Sequence, residues 1–340
     1  MLGRHRSTIL VGVSVVLFAV AGPVGVAQAS SPAYAPPDRP GPALDVPASS
    51  LESSLVCSLG VAGASRDAVL LVPGTTLDPT SNYSWNYERG LSTLGIPWCA
   101  LTLPYEALGD VATAGEYVVY AIRTMYHESG HQVDILGYSQ GGMVPRWALR
   151  FWPDTRTMVK SFVAIDPSNH GTLDASVLCN VVCPPAMWQQ ATGSHFLDAL
   201  NSYDETFPGI DYTVVYSRTD EIVVPNFDAQ GSSSLHTGSG SIENIAVQQI
   251  CPLDPSEHLL MGTADPVAYA LATDALVHSD LADPAEVPAD VCSELLSPAV
   301  NPIAFPLHFA SMLASIALSV AMSPETFSEP ALPSYVYAQD

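Results

Sequence analysis

The sharpest chemical signal in this chain is Gly137-Tyr138-Ser139-Gln140-Gly141, a complete G-x-S-x-G. A serine hydroxyl is a weak nucleophile until a base takes its proton, so a histidine and an orienting acid must accompany it. The pentapeptide alone would also fit an ordinary glycine-rich turn. Its surroundings favour the nucleophile: Val133 to Leu136 reads as a strand running in, and Gly141 to Phe151 as a helix running out. Pro145 sits in the first turns of that helix, where a missing N–H is tolerated best.

In a strand-turn-helix site of this kind the chain order is Ser, acid, His. Asp220 is the expected acid, because it follows the strand Tyr212 to Tyr216 at the carboxyl edge where α/β sites form. Glu221 is the second choice, and the plain alternative is a surface-loop carboxylate. Of nine histidines, the order leaves His236, His258, His278 and His308. His258 lies in a loop between a strand near Val247 and a helix, which is where the base should stand. His236, in a Gly/Ser loop, is the alternative. The tetrahedral oxyanion of acyl transfer needs preorganised donors. The N–H of Gln140 supplies one, and Thr75 in Val72-Pro73-Gly74-Thr75-Thr76 is expected to supply another, by hydroxyl as well as N–H. The bland reading of Pro-Gly-Thr is a turn. The pattern predicts hydrolysis of carboxylic esters, lipids included, through an acyl-enzyme. Neither a metal-ligand cluster nor a phosphate-cradling G-x-x-x-x-G-K is present, so no metal and no cofactor are expected.

The elements that must position these residues alternate. Strands are expected at 68–72, 100–103, 133–136, 161–165, 212–216 and 244–248. From Asp110 to Glu128 the apolar residues Val111, Ala114, Tyr117, Val118, Ala121, Ile122 and Met125 keep a helical period. Such alternation predicts an α/β fold with a mostly parallel central sheet and helices on both faces. Gly171 to Thr206 carries Cys179, Cys183 and Pro184-Pro185 and is expected to form a small helical cap. Residues 30–50 read as an extended Pro/Ala-rich leader, 51–324 as the catalytic domain and 325–340 as a tail. Leu295 to Met322 has no charge, but Pro298, Pro302 and Pro306 break it. The remainder, Leu307 to Met322, is short for a membrane span and is expected to lie on the domain surface.

With 48% hydrophobic residues the chain can bury a large core, which excludes disorder for its bulk. Its formal charge of −23 argues against nucleic acid or anionic membranes as electrostatic partners. A basic stretch at Arg4-His5-Arg6, an uncharged run from Thr8 to Ala21 and a small-x-small site at Ala27-Gln28-Ala29 read as a secretory signal peptide over 1–29. The expected location is extracellular, with no stable membrane anchor and a monomeric state. Export favours disulfides over zinc for the six cysteines, none in a CxxC pair, although six permit 15 connectivities.

Four words then stand together in order over roughly residues 50 to 292: Leu70-Leu71-Val72-Pro73-Gly74-Thr75, Ser139-Gln140-Gly141-Gly142, Trp188-Gln189-Gln190-Ala191-Thr192-Gly193-Ser194 and Tyr216-Ser217-Arg218-Thr219-Asp220-Glu221-Ile222-Val223. On them the chain resembles the α/β-hydrolase lipase family of lipase B from Candida antarctica. The resemblance implies a triacylglycerol lipase or esterase with triad Ser139, Asp220 and His258 and an oxyanion hole of Thr75 and Gln140. It implies that Asp166 and Gln190 line the substrate pocket, with Tyr138 at the position of a family tryptophan beneath the alcohol subsite. It also implies disulfides Cys57–Cys99 and Cys251–Cys292. Cys179 and Cys183 are left, and a turn can bring an i, i+4 pair within bridging range. Two other readings stay open: an extracellular acyltransferase using the same triad, and a secreted binding protein that has lost catalysis.

Overall fold

The computed structural model describes residues 33–338, so the signal peptide assigned to 1–29 lies outside the described residues. Seven strands form one sheet: β1 (Leu55–Cys57), β2 (Ala68–Val72), β3 (Trp98–Leu101), β4 (Val133–Tyr138), β5 (Val159–Ile165), β6 (Asp211–Tyr216) and β7 (Ser241–Ala246). Their order is β1-β3-β2-β4-β5-β6-β7. Only β1, at the edge, runs antiparallel. Because β2 and β4 are covered on both faces, every residue in them is buried, and they read as continuous apolar runs rather than alternating ones. Leu70 and Val72 face the layer holding the helices Val111–Ser129 and Gln140–Phe151. Val69 and Leu71 face the helix Pro266–His278.

The first of these helices illustrates how local signals set bounds. The Asp110 side chain accepts the Thr113 N–H at 3.1 Å, and Gly130 closes the last turn in the left-handed conformation. The edge strand β1 is not among the expected strands, and two of the expected strands shift most. The second starts at Trp98 instead of Ala100, and the last ends at Ala246 because Val247–Ile250 closes a helical turn.

The leader and the tail pack onto the span 51–324. Ala35 N–H donates to Val336 O and Ala338 N–H to Ala33 O, both at 2.8 Å. Val336 is fully buried, and Trp147 Nε1 donates to the Tyr335 hydroxyl. Position 50 falls inside the helix Ala48–Ser54. The proline-rich leader, expected to be extended, can be fixed this way because its prolines already restrict its unfolded state, which lowers the entropy opposing its ordering against Tyr335 and Val336.

The expected cap segment holds three short helices, Leu173–Leu178, Pro185–Gln189 and His195–Leu200. The latter two are built into the core, with Phe196 stacked on Trp147 at 4.4 Å. The helix Phe305–Met322 lies on the surface: Met312 and Ser319 are its buried residues, and His308 stacks on Trp85. Its mean hydropathy is 1.6, and it is long and apolar enough to cross a membrane by length and composition alone. Disulfides join Cys57–Cys99, Cys251–Cys292 and Cys179–Cys183, and no described cysteine is free.

One buried acid makes a stability prediction. Asp134 points out of β4 with no exposed surface, accepting the Ser161 N–H at 3.1 Å and the Ser279 hydroxyl at 2.7 Å. Burial pushes its carboxyl up to about 7. An aspartate in the unfolded chain titrates near 4. Between these values the native state holds more protons, so stability falls as pH rises through the window. Asp134→Asn keeps the bond from Ser161 N–H on Oδ1, reverses the other so that Nδ2 donates to Ser279 Oγ, and removes the charge. Its Tm is expected to match the parent at pH 5 and to exceed it by roughly 3–8 °C at pH 8. Equal Tm differences at the two pH values would contradict this.

Candidate active site

Ser139 sits between β4 and the helix that begins at Gln140, in a left-handed backbone conformation with φ of 54°. Such strain in a non-glycine residue persists only where the surroundings over-determine it. Here the surroundings are glycines. A Cβ on Gly137 would lie 2.0 Å from Gly141 O, and one on Gly141 would lie 2.0 Å from Val72 O. Only glycine allows the turn to close against β2. Because β3 and β4 flank β2 on opposite sides, the chain leaves this edge in two directions and opens a crevice. Thr75 follows β2 there and Ser139 follows β4.

The expected acid and base both meet the serine. His258 Nε2 stands 3.0 Å from Ser139 Oγ, and Nδ1 stands 2.8 Å from Asp220 Oδ2. All three residues are buried, the Asp220 side chain completely. Asp220 Oδ1 accepts the N–H groups of Ile222 and Val223 at 2.8 Å each, so the carboxylate is fixed at both oxygens. With the Asp220 carboxylate accepting Nδ1–H, Nε2 is left to accept the serine proton. Glu221, the second-choice acid, instead accepts the His258 main-chain N–H at 3.3 Å. His236 stacks on His170 and donates its N–H to Glu205, and is no part of this arrangement.

Gln140 occupies the first helical position, where its N–H has no partner within the helix. Its side chain and that of Gln190 both reach the Thr75 hydroxyl, at 3.3 Å and 3.1 Å. Two residues expected at the pocket are buried beside the triad. Tyr138 is buried against Gly74 and Gly262, and its hydroxyl donates to His258 O at 2.9 Å. As the last residue of β4 its side chain enters the layer beneath His258 and supports it. Asp166 has no exposed surface; its Oδ1 accepts the Ser217 N–H at 2.7 Å and its Oδ2 has no protein partner. Burial, and next the Asp220 charge, push its carboxyl well above the usual carboxylate range. It stands beside Asp220 and His258 with Oδ2 unpartnered. Asp166, Asp220 and His258 bring ligand atoms within 4.8 Å of one another, the one such group among the described residues. Two of its members are already committed to each other and to Ser139.

Several supporting residues went unread in the sequence. Ser217 Oγ and Thr219 Oγ1 both donate to Ser256 O, at 2.7 and 2.9 Å, tying the acid loop to the base loop. Ser256 Oγ then donates to Asp265, the N-cap of the helix Pro266–His278. Burial pushes the Asp265 carboxyl up to about 6, assisted by the charge of Asp254. The signal available was the density of Ser, Thr and Asp around Asp220 and His258, residues that readily bond nearby backbone.

A serine on a strained strand-to-helix turn, with an aspartate and a histidine arriving in that chain order at the edge of a mostly parallel sheet, defines an α/β-hydrolase. The family model of Lipase (class 2) matches residues 119–251. Lipase B of Pseudozyma antarctica is 32% identical over 246 residues, covering 71% of each chain. The crystal structure of Aspergillus fumigatus lipase B is similar with a TM-score of 0.79 and 32% identity, over 93% of this chain and 77% of that one. The chain belongs to the lipase B family and is a carboxylic-ester hydrolase of the lipase type.

Proposed function

We propose that this enzyme is secreted and cleaves lipid or related esters through an acyl-enzyme on Ser139. The carrying observation is the continuous pair of contacts Ser139–His258–Asp220, at 3.0 and 2.8 Å. Ser139 Oγ forms a bond to the ester carbonyl carbon as His258 Nε2 takes its proton. Thr75 and the Gln140 N–H hold the oxyanion. Collapse breaks the bond to the alcohol oxygen, which receives the proton from His258, and water then releases the acid by the same steps. Asp220 holds the imidazole in orientation and stabilises its charged form. Tyr138 and Glu221 fix the His258 backbone from opposite ends.

Secretion is supported by the basic-apolar-small pattern of residues 1–29 and by the three disulfides, which suit an oxidising compartment. The domain proposed spans residues 51–324, with the leader and tail as straps on it. Hydrolysis of p-nitrophenyl esters from acetyl to palmitoyl, with and without an added alcohol, tests the reaction. Free acid as the main product supports the hydrolase. Predominant transfer to the alcohol in dilute aqueous solution would make it an acyltransferase, and no turnover of any ester would leave the binding-protein reading.

A further inference from the structure

The Thr75 hydroxyl has two acceptor lone pairs and one hydrogen. Both of its neighbours are amide donors. Gln140 Nε2 reaches Thr75 Oγ1 at 3.3 Å and also donates to Ala107 O at 2.9 Å. Gln190 Nε2 reaches Thr75 Oγ1 at 3.1 Å and also donates to Ala186 O at 3.2 Å. A backbone carbonyl can only accept, so Ala107 and Ala186 fix which end of each amide is nitrogen. Each amide then has one hydrogen left, and both of these point at the same hydroxyl oxygen. Ser168 Oγ donates to Gln190 Oε1 at 2.9 Å and locks that amide from its other end. On the Gln140 side, Tyr105, Glu106 and Ala107 are three successive left-handed residues, a costly turn that presents the Ala107 carbonyl.

We infer that Gln140 and Gln190, through their side chains, are positioning residues that make Thr75 an obligate hydrogen-bond donor. With both lone pairs occupied, the hydroxyl can offer only its hydrogen, and the oxyanion is the acceptor it awaits. The inference rests on the proposed role of Thr75 and adds the reason that its hydroxyl needs no reorientation when charge develops. Gln140 thereby acts twice, by its main-chain N–H and by its side chain.

The test uses Gln190→Met and Gln140→Met, each alone and combined with Thr75→Val, with kcat expressed per Ser139 titrated by a fluorophosphonate so that misfolded protein does not count. Freeing the hydroxyl to rotate among its staggered wells and to accept elsewhere is expected to lower kcat about three- to tenfold, with KM within about twofold. In the Thr75→Val background the same changes are expected to alter kcat by less than about twofold, because the group they orient is gone. A purely structural role predicts the same loss in both backgrounds. That result, or unchanged kcat in both single variants beside a costly Thr75→Val, overturns the inference while leaving Thr75 as oxyanion donor. A silent Thr75→Val would instead sink the reading beneath it.

Discussion

Ser139→Ala and His258→Ala are each expected to lower kcat by about 10⁴-fold or more, and the double variant to lose little beyond either alone. The two side chains form one proton path: removing the hydroxyl leaves nothing to deprotonate, and removing the imidazole leaves nothing to take the proton. Ordinary independent contacts would add their losses, so the absence of additivity is itself the signature. Ser139→Ala should leave Tm nearly unchanged, whereas His258→Ala takes the Nδ1–H partner from the fully buried Asp220 carboxylate and is expected to lower Tm. Activity above about a tenth of wild type in either single variant would remove that residue from the mechanism.

Thr75→Val is the next largest effect expected, on the order of 10²–10³ in kcat, or about 3–4 kcal/mol. Valine keeps the shape and the backbone N–H and deletes only the hydroxyl. Since the oxyanion is absent from the bound ester and develops only in the transition state toward the tetrahedral intermediate, KM should move far less than kcat. Thr76→Val is the matched control. The Thr76 hydroxyl donates back to the Thr75 carbonyl and has no line to Ser139 in the structure, so its loss should be nearly silent. The assignment fails if Thr75→Val keeps kcat within about threefold of wild type, or if Thr76→Val carries the larger loss.

Much of this frame could be read from residues alone, for identifiable reasons. Strands β2 and β4 announce themselves because burial on both faces leaves unbroken apolar runs. Ser139, Asp220 and His258 could be placed because the fold imposes a chain order and sets each at a strand's carboxyl end. The rest depends on contacts between residues distant in sequence. Tyr138 reads as pocket lining until its hydroxyl is found on His258, 120 positions away. The Gln190–Thr75 contact spans 115 positions, and neither residue carries a local mark of it. The family resemblance alone marks Asp166 for the pocket; its complete burial and its bond to Ser217, 51 positions away, carry no local mark in the sequence. The leader's prolines mark it only as extended; its partners, Tyr335 and Val336, lie at the far end of the chain, so its packing leaves no local sign.

The central claim is that Ser139 is the nucleophile, activated by His258. Labelling the purified protein with a fluorophosphonate and locating the adduct by peptide mass spectrometry tests it most directly. The account predicts one adduct per chain, on the peptide containing Ser139, absent in Ser139→Ala and slowed by at least about 10³-fold in His258→Ala. An adduct on another serine, or ester hydrolysis by a protein that takes up no label at all, would contradict it.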